Sequence, residues 1–444
     1  MLAQTYSLAH IGSNPHRVII ETDAYNGLPG IKIVGLPSKA IEEARERLRS
    51  AIRNSDLDFP AKKFTINLAP ADIAKSGTGY ELAMAIGILC ATKQIQPVSE
   101  SICFIAELAL DGSLRPAKDC LASIITARHM DFDTIVVDPT TNIEASICKD
   151  ITILRPKSLK DLYSHLIGES IIAPWKPMPL QKNTSRQQSP DDLCFIKGLP
   201  LPKRALEIAA AGRHNILLIG PPGAGKTLLA QSIQTILPSA TLDERREIYY
   251  LHSLAHTLPP ATPSGRPFRS PHHTASEAAM VGGGTNPKPG EISLAHHGVL
   301  FMDELLEFPR SVLEALRQPL EDGTISIARS AESLTFPANV LLVAAMNPCP
   351  CGYYTGISSF CRCSPAQVER YQSRLSGPLL DRFDLVCRVD PLRADEWLDQ
   401  TSEDSSVVRR RVKSALEIQI KRHKDEQFVT NSRLSLEHLN DTLQ

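Results

Sequence analysis

The chain lacks any run of about 18 uncharged apolar residues, so its sequence offers no membrane-spanning helix and no membrane partner is expected. Its first residues, Met-Leu-Ala-Gln-Thr-Tyr-Ser, have no charged stretch followed by an apolar one, so no secretory signal peptide is expected. It also has almost no net charge: 48 Lys and Arg stand against 49 Asp and Glu, formally −1. That balance excludes a generic basic coat for nucleic acid and leaves open only a local basic groove. These absences together predict a cytoplasmic protein. Ten cysteines in such a chain argue for thiols or metal ligands rather than disulfides. With 444 residues the chain is too long for one core, and two or three domains are expected. The 42% hydrophobic and 22% charged composition is that of an ordinary soluble globular protein.

What is present is organised around Gly220-Pro221-Pro222-Gly223-Ala224-Gly225-Lys226-Thr227, the Gly-x-x-x-x-Gly-Lys-Thr phosphate-binding loop. Asn215-Ile-Leu-Leu-Ile219 before it reads as a buried parallel strand, and Thr227 to Ile233 after it as a helix. Glycines let the backbone approach phosphates, and loop N–H groups with the helix N-terminus favour anionic oxygens. Lys226 is placed on the β- and γ-phosphates and the Thr227 hydroxyl on Mg²⁺, so ATP and Mg²⁺ are the expected ligands. Gly298-Val-Leu-Phe-Met-Asp303-Glu304 is an apolar run ending in two carboxylates. Asp303 is expected to orient the Mg²⁺ shell and Glu304 to polarise the attacking water. Val340-Leu-Leu-Val-Ala-Ala-Met-Asn347 is a further buried strand, with Asn347 placed at the γ-phosphate or the lytic water. Arg382, in Leu379-Leu-Asp-Arg-Phe-Asp384, offers a cation to a neighbouring subunit's γ-phosphate. An ion pair of Arg382 with Asp381 or Asp384 is the plain alternative, and Arg374 is the nearest rival. The segment Leu193 to Leu199 and the helix from Pro202 are expected beside the adenine.

Residues 1–168 alternate strand-like and helical runs, which predicts an independent α+β domain. Strands are expected at Val18–Thr22, Ile31–Val34, Phe64–Leu68, Cys103–Leu108 and Thr134–Asp138. Helices are expected at Ser38–Asn54, with Ser38 as N-cap, and at Tyr80–Thr92 and Lys118–Met130. Residues 169–190, rich in proline and polar side chains, read as a linker, partly ordered around Trp175. Residues 191–391 then form the ATPase core and 392–444 a helical lid.

Cys349-Pro-Cys351 and Cys361-Arg-Cys363 are two thiol pairs on a short loop. They can close a tetrahedral structural Zn²⁺ site, with reduced or redox-active thiols as the alternative. His272-His273 and His296-His297 suit one metal poorly, because neighbours in an extended segment point opposite ways. Loop and interface roles are expected for them instead. Gly282 to Gly290 carries Lys288 and reads as a flexible hairpin or a surface loop. Val407 to Lys424 mixes basic and apolar faces: a solvated lid helix, or a nucleic-acid contact.

Lys75-Ser-Gly-Thr-Gly-Tyr-Glu-Leu-Ala-Met-Ala85, with Leu114-Arg-Pro-Ala-Lys118 and Ala127 to Val137, resembles the proteolytic domain of Lon, a ribosomal S5 domain 2-like α+β fold. Lon-type chemistry needs a Ser activated by a Lys. Those positions fall here on Gly79 and at or near Leu121, with Ser76 and Lys118 off the matching offsets, so no peptidase activity is expected. The phosphate loop, the carboxylate pair, Asn347 and Arg382, in this order, resemble an AAA+ ATPase. Arg266 to Gly298 and Gly377 to Asp384 resemble the magnesium-chelatase-related group, most closely the YifB/ComM family. The α/β multidomain architecture implied is a Lon-like domain followed by an AAA+ domain. The resemblance implies a hexameric ring and a DNA helicase that promotes branch migration. A chaperone-like ATPase that remodels protein, as in magnesium chelatase, is the alternative. The family's lid carries an arginine in a Ser-Ala-Arg type context, which is not found before Asp441-Thr-Leu-Gln444, so an apparently truncated lid is expected.

Overall fold

A computed structural model describes residues 2–73, 75, 77–141, 143, 147–148, 150–176, 190–257, 262, 264–284, 287–328, 333–354, 360–392, 402–422 and 430–434. The chain divides into two compact units, residues 1–182 with 249–258, and residues 183–248 with 259–444.

The first unit is built on a seven-stranded mixed sheet. Its strands are β1 (Leu2–Ile11), β2 (Asn14–Tyr25), β3 (Gly30–Val34), β4 (Lys63–Ala69), β5 (Ile102–Ile105), β6 (Thr134–Val137) and β7 (Thr152–Leu154). They lie in the order β3-β4-β2-β1-β5-β6-β7. β1 has no counterpart among the expected strands, although it pairs with both β2 and β5. Its residues Thr5 to Ala9 are all buried, so the short polar–apolar alternation Thr5-Tyr6-Ser7-Leu8 does not correspond to an exposed and a buried face. Helix α1 (Lys39–Asn54) buries Ile41, Ala44, Leu48 and Ile52, the face its spacing predicts. Ser38 stands at its N-cap, as expected, although its side chain makes no capping hydrogen bond. Helix α2 (Glu81–Ala91) is buried along all its residues and packs on β1 and β2. The run Cys103–Leu108 is not one strand but two, with Glu107–Leu108 pairing to Leu114–Arg115. The expected helix at 118–130 is α-helical only over Cys120–Thr126 and tightens to a 3₁₀ turn over Ala127–Met130.

Gly79 lies in the turn into α2, where an added Cβ would stand 3.2 Å from the Cβ of Ala117. Leu121 is a half-buried residue of the 120–126 helix, and Lys118 is exposed. Lys75 is buried with its ammonium donating to the Pro70 carbonyl. Ser76 lies outside the described residues, as do residues 177–189 of the expected linker. Trp175 is partly buried and packs against the buried cluster that includes Ile135 and Ile153, and its backbone N–H donates to the Ile153 carbonyl at 2.8 Å.

The second unit carries a five-stranded parallel sheet: β8 (Ile216–Ile219), β9 (Phe268–Arg269), β10 (Val299–Met302), β11 (Leu341–Met346) and β12 (Leu385–Arg388). The order is β9-β10-β11-β8-β12. β10 and β11 are buried at every residue because apolar clusters cover both faces, which is why they read as unbroken hydrophobic runs. Helices α3 (Pro200–Gly212), α4 (Lys226–Ile236) and α6 (Ser405–Arg422) pack on one another. Helix α5 (Leu242–Leu254) is an element the sequence pattern does not single out. Gly282–Gly283 pairs with Lys288–Pro289 in the expected hairpin, whose residues 285–286 are outside the described set. A second hairpin, Thr324–Ala328 with Ser333–Pro337, has no counterpart among the expected elements. In the expected helical tail the described residues form α6 and a 3₁₀ turn at Asn431–Arg433, while 393–401, 423–429 and 435–444 are not described. Among the described residues no helix is long and apolar enough to cross a membrane.

Candidate nucleotide site

Strands β8, β10 and β11 are parallel neighbours, so the residues that leave their C-terminal ends emerge side by side. β8 runs into the loop Gly220 to Gly225, and α4 begins at Lys226. Gly225 has φ +86°, the left-handed conformation that a side-chain-bearing residue adopts only under strain, and it starts the helix. Lys226 is 8% exposed. Its ammonium donates to the carbonyls of Gly220 (2.7 Å) and Pro221 (2.9 Å) and to Oδ1 of Asn347 (3.1 Å). Burial pushes its pKa below the ordinary lysine value. A cation is thus already held by three oxygens at the point where anionic oxygens are expected. Asn347 reaches it from the end of β11, so the loop lysine and this amide are brought together.

Thr227 Oγ donates to Oδ2 of Asp303 at 2.8 Å. Adjacent oxygens in an octahedral Mg²⁺ shell lie about 3.0 Å apart, from Mg–O bonds of about 2.1 Å, so this pair is close to what the ion needs. Oδ1 of Asp303 accepts the backbone N–H of Glu304 at 2.9 Å. Glu304 itself has φ 50° and ψ 47°. A non-glycine residue in that region carries strain, and such strain gathers at active sites. Pro221, Pro222, Gly223 and Ala224 complete the loop, and a Cβ added at Gly225 would stand 3.8 Å from Cδ1 of Leu199. The segment from Leu193 therefore runs beside the loop. The same segment borders a cavity of about 360 Å³, lined by Leu193, Gly198, Pro200, Lys203 and Glu207 among others but by no residue of the phosphate loop.

One residue at this edge escapes a reading of the sequence. Nδ1 of His273 lies 3.4 Å from Oε2 of Glu304. Arg269 on β9 pairs with Leu300 on β10, so the fourth residue beyond each, 273 and 304, become neighbours. Only the strand pairing carries that signal.

Arg382 is not at this edge. It precedes β12, at the N-terminal end of the sheet, and pairs with Glu321 rather than with Asp381 or Asp384. Asp384 instead accepts the backbone N–H of Asn215 at 2.9 Å. Arg374, the rival, lies 3.7 Å from Glu307.

The histidine pairs also differ from expectation. Their rings lie side by side and tilted, with centroids 4.1 Å apart at 33° for His272 and His273 and 3.9 Å apart at 50° for His296 and His297, because they sit in turns rather than extended chain. His297 has φ 57°. Nε2 of His296 and of His297 both meet Oε2 of Glu247, at 2.8 and 2.9 Å. Nδ1 of His296 accepts the Asn339 N–H at 2.9 Å, so its Nε2 carries the proton and donates to the carboxylate. That tautomer leaves His296 no lone pair for a metal on this side. Burial drives the His296 pKa down to about 4.

On α6, Arg409 donates to the Thr235 carbonyl at 2.7 Å, and Arg411 is held by Glu207 and Glu403. Two of the basic residues that the nucleic-acid alternative would use are thus spent within the unit, and 423–424 lie outside the described residues. Lys288 on the small hairpin is exposed.

The four cysteines converge: Cys349, Cys351, Cys361 and Cys363 place their sulfurs within 4.8 Å of one another.

A five-stranded parallel sheet with a phosphate loop, a carboxylate pair and an amide at adjacent strand ends defines an AAA+ ATPase. The sequence model of the family described as "Magnesium chelatase, subunit ChlI" matches residues 192–397, and that described as "Subunit ChlI of Mg-chelatase" matches residues 20–142. The chain belongs to the magnesium-chelatase-like YifB/ComM family. It is similar to competence protein ComM of Haemophilus influenzae, 45% identical over 95% of this chain and 83% of that protein. It is likewise similar to the YifB proteins of Salmonella typhimurium, at 44%, and Escherichia coli, at 43%, with the same coverage of each chain.

Proposed function

We propose that this chain is an ATP-hydrolysing motor that assembles into a ring of like chains, a hexamer, and acts on DNA in the cytoplasm as a branch-migration helicase. The observation that supports hydrolysis is the meeting of Lys226, Thr227, Asp303, Glu304 and Asn347 at one sheet edge. Thr227 and Asp303 would hold Mg²⁺, which supplies positive charge to phosphate oxygens. Lys226 exchanges its carbonyl partners for the β- and γ-phosphates. Glu304 orients the attacking water and takes its proton, and Asn347 fixes the γ-phosphate side. His273 holds Glu304 aside until substrate is seated.

Arg382 works on a neighbouring chain. It stands before the first residue of β12, whereas the phosphate loop follows the last residue of the parallel β8. Four residues of strand, about 13 Å, separate the two levels. The likeness to ComM supports DNA as the substrate, with Lys288 the first basic contact to examine. The N-terminal unit is Lon-like in fold and carries no peptidase chemistry, in keeping with Gly79 and Leu121.

A second reading, an ATPase that remodels a partner protein, is favoured by the chelatase names of both matching families. One titration separates the two. ATPase activity is measured against added duplex or branched DNA at rising salt. Stimulation by DNA that falls steeply with salt is expected. Absence of binding at low salt together with absence of stimulation would overturn the DNA reading.

A further inference from the structure

The loop after Asn347 holds the one cluster of four cysteines among the described residues. Cys349 is buried, and Cys351, Cys361 and Cys363 are half-buried. The sulfur of Cys349 lies 3.3 Å from that of Cys351 and 3.8 Å from that of Cys361, and the last two are 3.6 Å apart. Metal–sulfur bonds of about 2.3 Å at tetrahedral angles require sulfurs about 3.8 Å apart. A disulfide needs only two sulfurs, at about 2.05 Å, and none of the four is so joined. Four soft ligands in this arrangement, with no oxygen or imidazole among them, suit Zn²⁺ and reject Mg²⁺.

The cluster touches the nucleotide site at two points. Cys349 is two residues beyond Asn347, the amide that accepts from Lys226. The intervening Pro348 carbonyl is anchored by Nε2 of Gln372 at 2.9 Å. Gly352, next to Cys351, lies against the phosphate loop: a Cβ added there would come 2.5 Å from Cδ and 2.8 Å from Cγ of Pro222. Gly352 also has φ +85°, so only glycine fits both the turn and the contact.

We propose that Cys349, Cys351, Cys361 and Cys363 hold one Zn²⁺, and that the closed site presses Gly352 on Pro222 and fixes Asn347, so that the metal positions the phosphate loop without touching nucleotide. The metal site stands on the cysteines alone, whereas the positioning role rests on the ATPase reading above. Without the metal nothing ties the two Cys-x-Cys pairs together, and the loop that carries Gly352 and Asn347 loses its closure.

The test has two arms. Elemental analysis of wild-type protein purified without chelator should give about one zinc per chain, with the four thiols protected from a thiol reagent until chelator is added. Folded protein with no zinc and four reactive thiols overturns the site, and so does iron in place of zinc. In the second arm, the affinity for a fluorescent ATP analogue is measured by direct titration. Gly352→Ala should keep its zinc and bind the analogue at least about tenfold more weakly, a factor worth about 1.4 kcal/mol. Cys361→Ser should lose zinc and weaken binding similarly. Should Cys361→Ser unfold, chelator-treated wild type, with restoration by added zinc, takes its place. Unchanged affinity in Gly352→Ala and in zinc-free protein overturns the positioning role. Wild-type protein that holds zinc and binds no analogue overturns the ATPase reading, and the positioning role with it, while the metal site stands.

Discussion

Two sheets in this chain end in loops that resemble catalytic motifs, and only one is equipped. At the C-terminal edge of the second unit's sheet, the side chains leaving three neighbouring strands hold one another. Lys226 meets Asn347, and Thr227 meets Asp303. In the first unit the turn into α2 has as good a core behind it, with α2 buried along its length. Yet the position that the resemblance to Lon would give to a nucleophile is Gly79, packed so close to Ala117 that a side chain would crowd its neighbour. The position for its base is Leu121. The nearby buried amine, Lys75, is spent on the Pro70 carbonyl. A fold supplies a place for chemistry, but the chemistry needs residues that converge.

The contrast can be broken most directly at Lys226. Lys226→Ala is expected to abolish ATP binding, and undiminished affinity in a titration of the folded variant would show that the phosphate loop does not hold the nucleotide. Next in size is Arg382→Ala, expected to bind ATP but hydrolyse it about 10³-fold more slowly, the lower end for an arginine supplied in trans. If its pairing with Glu321 were its whole role, the change would be near neutral, as for most exposed ion pairs. Mixing Arg382→Ala with Lys226→Ala should restore some activity, because some mixed interfaces then hold an intact pocket and an intact arginine. Mixtures that stay inactive, or a wild-type protein that stays monomeric with ATP, count against the ring. Glu304→Gln should retain bound ATP and lose about 10²-fold in turnover, the scale of general-base effects. Equal turnover in the variant would move the base elsewhere.

A smaller effect concerns stability. His296 is buried and neutral, with its pKa lowered from 6.5 to about 4. Between those values the unfolded chain binds the proton and the folded chain does not, so stability falls as pH drops through that window. From pH 7 to pH 5 this histidine alone should cost about 2 kcal/mol. His296→Gln should flatten the dependence of Tm on pH across that window, and an unchanged slope would refute the assignment. The smallest expected effect is none at all. Purified protein with ATP and Mg²⁺ should leave an unfolded substrate intact, and Ser76→Ala should change nothing. ATP-dependent cleavage lost in that variant would erase the contrast between the two sheets.

Much is legible because it is local. A phosphate loop is one stretch of chain, and a buried parallel strand is an unbroken apolar run, so β8, β10, β11 and the residues at their ends stand out from spacing alone. The amphipathic period of α1 likewise names its buried face. The Cys-x-Cys pairs also announce themselves, since both lie on one short loop. What stays hidden depends on contacts between distant segments. β1 buries polar Thr5 and Ser7 along with Tyr6 and Leu8, because its place in the sheet, between β2 and β5, determines its burial. His273 comes beside Glu304 only through the register of β9 on β10. The adjoining rings of His296 and His297 need a left-handed residue that a strand-like reading cannot foresee. Gly352 can be recognised as a turn residue, but not as the residue that meets Pro222. Side-chain type and short-range period are written in the chain order. Which side chain stands opposite another across a sheet edge is decided by pairing and packing, and these exist only once the chain has folded.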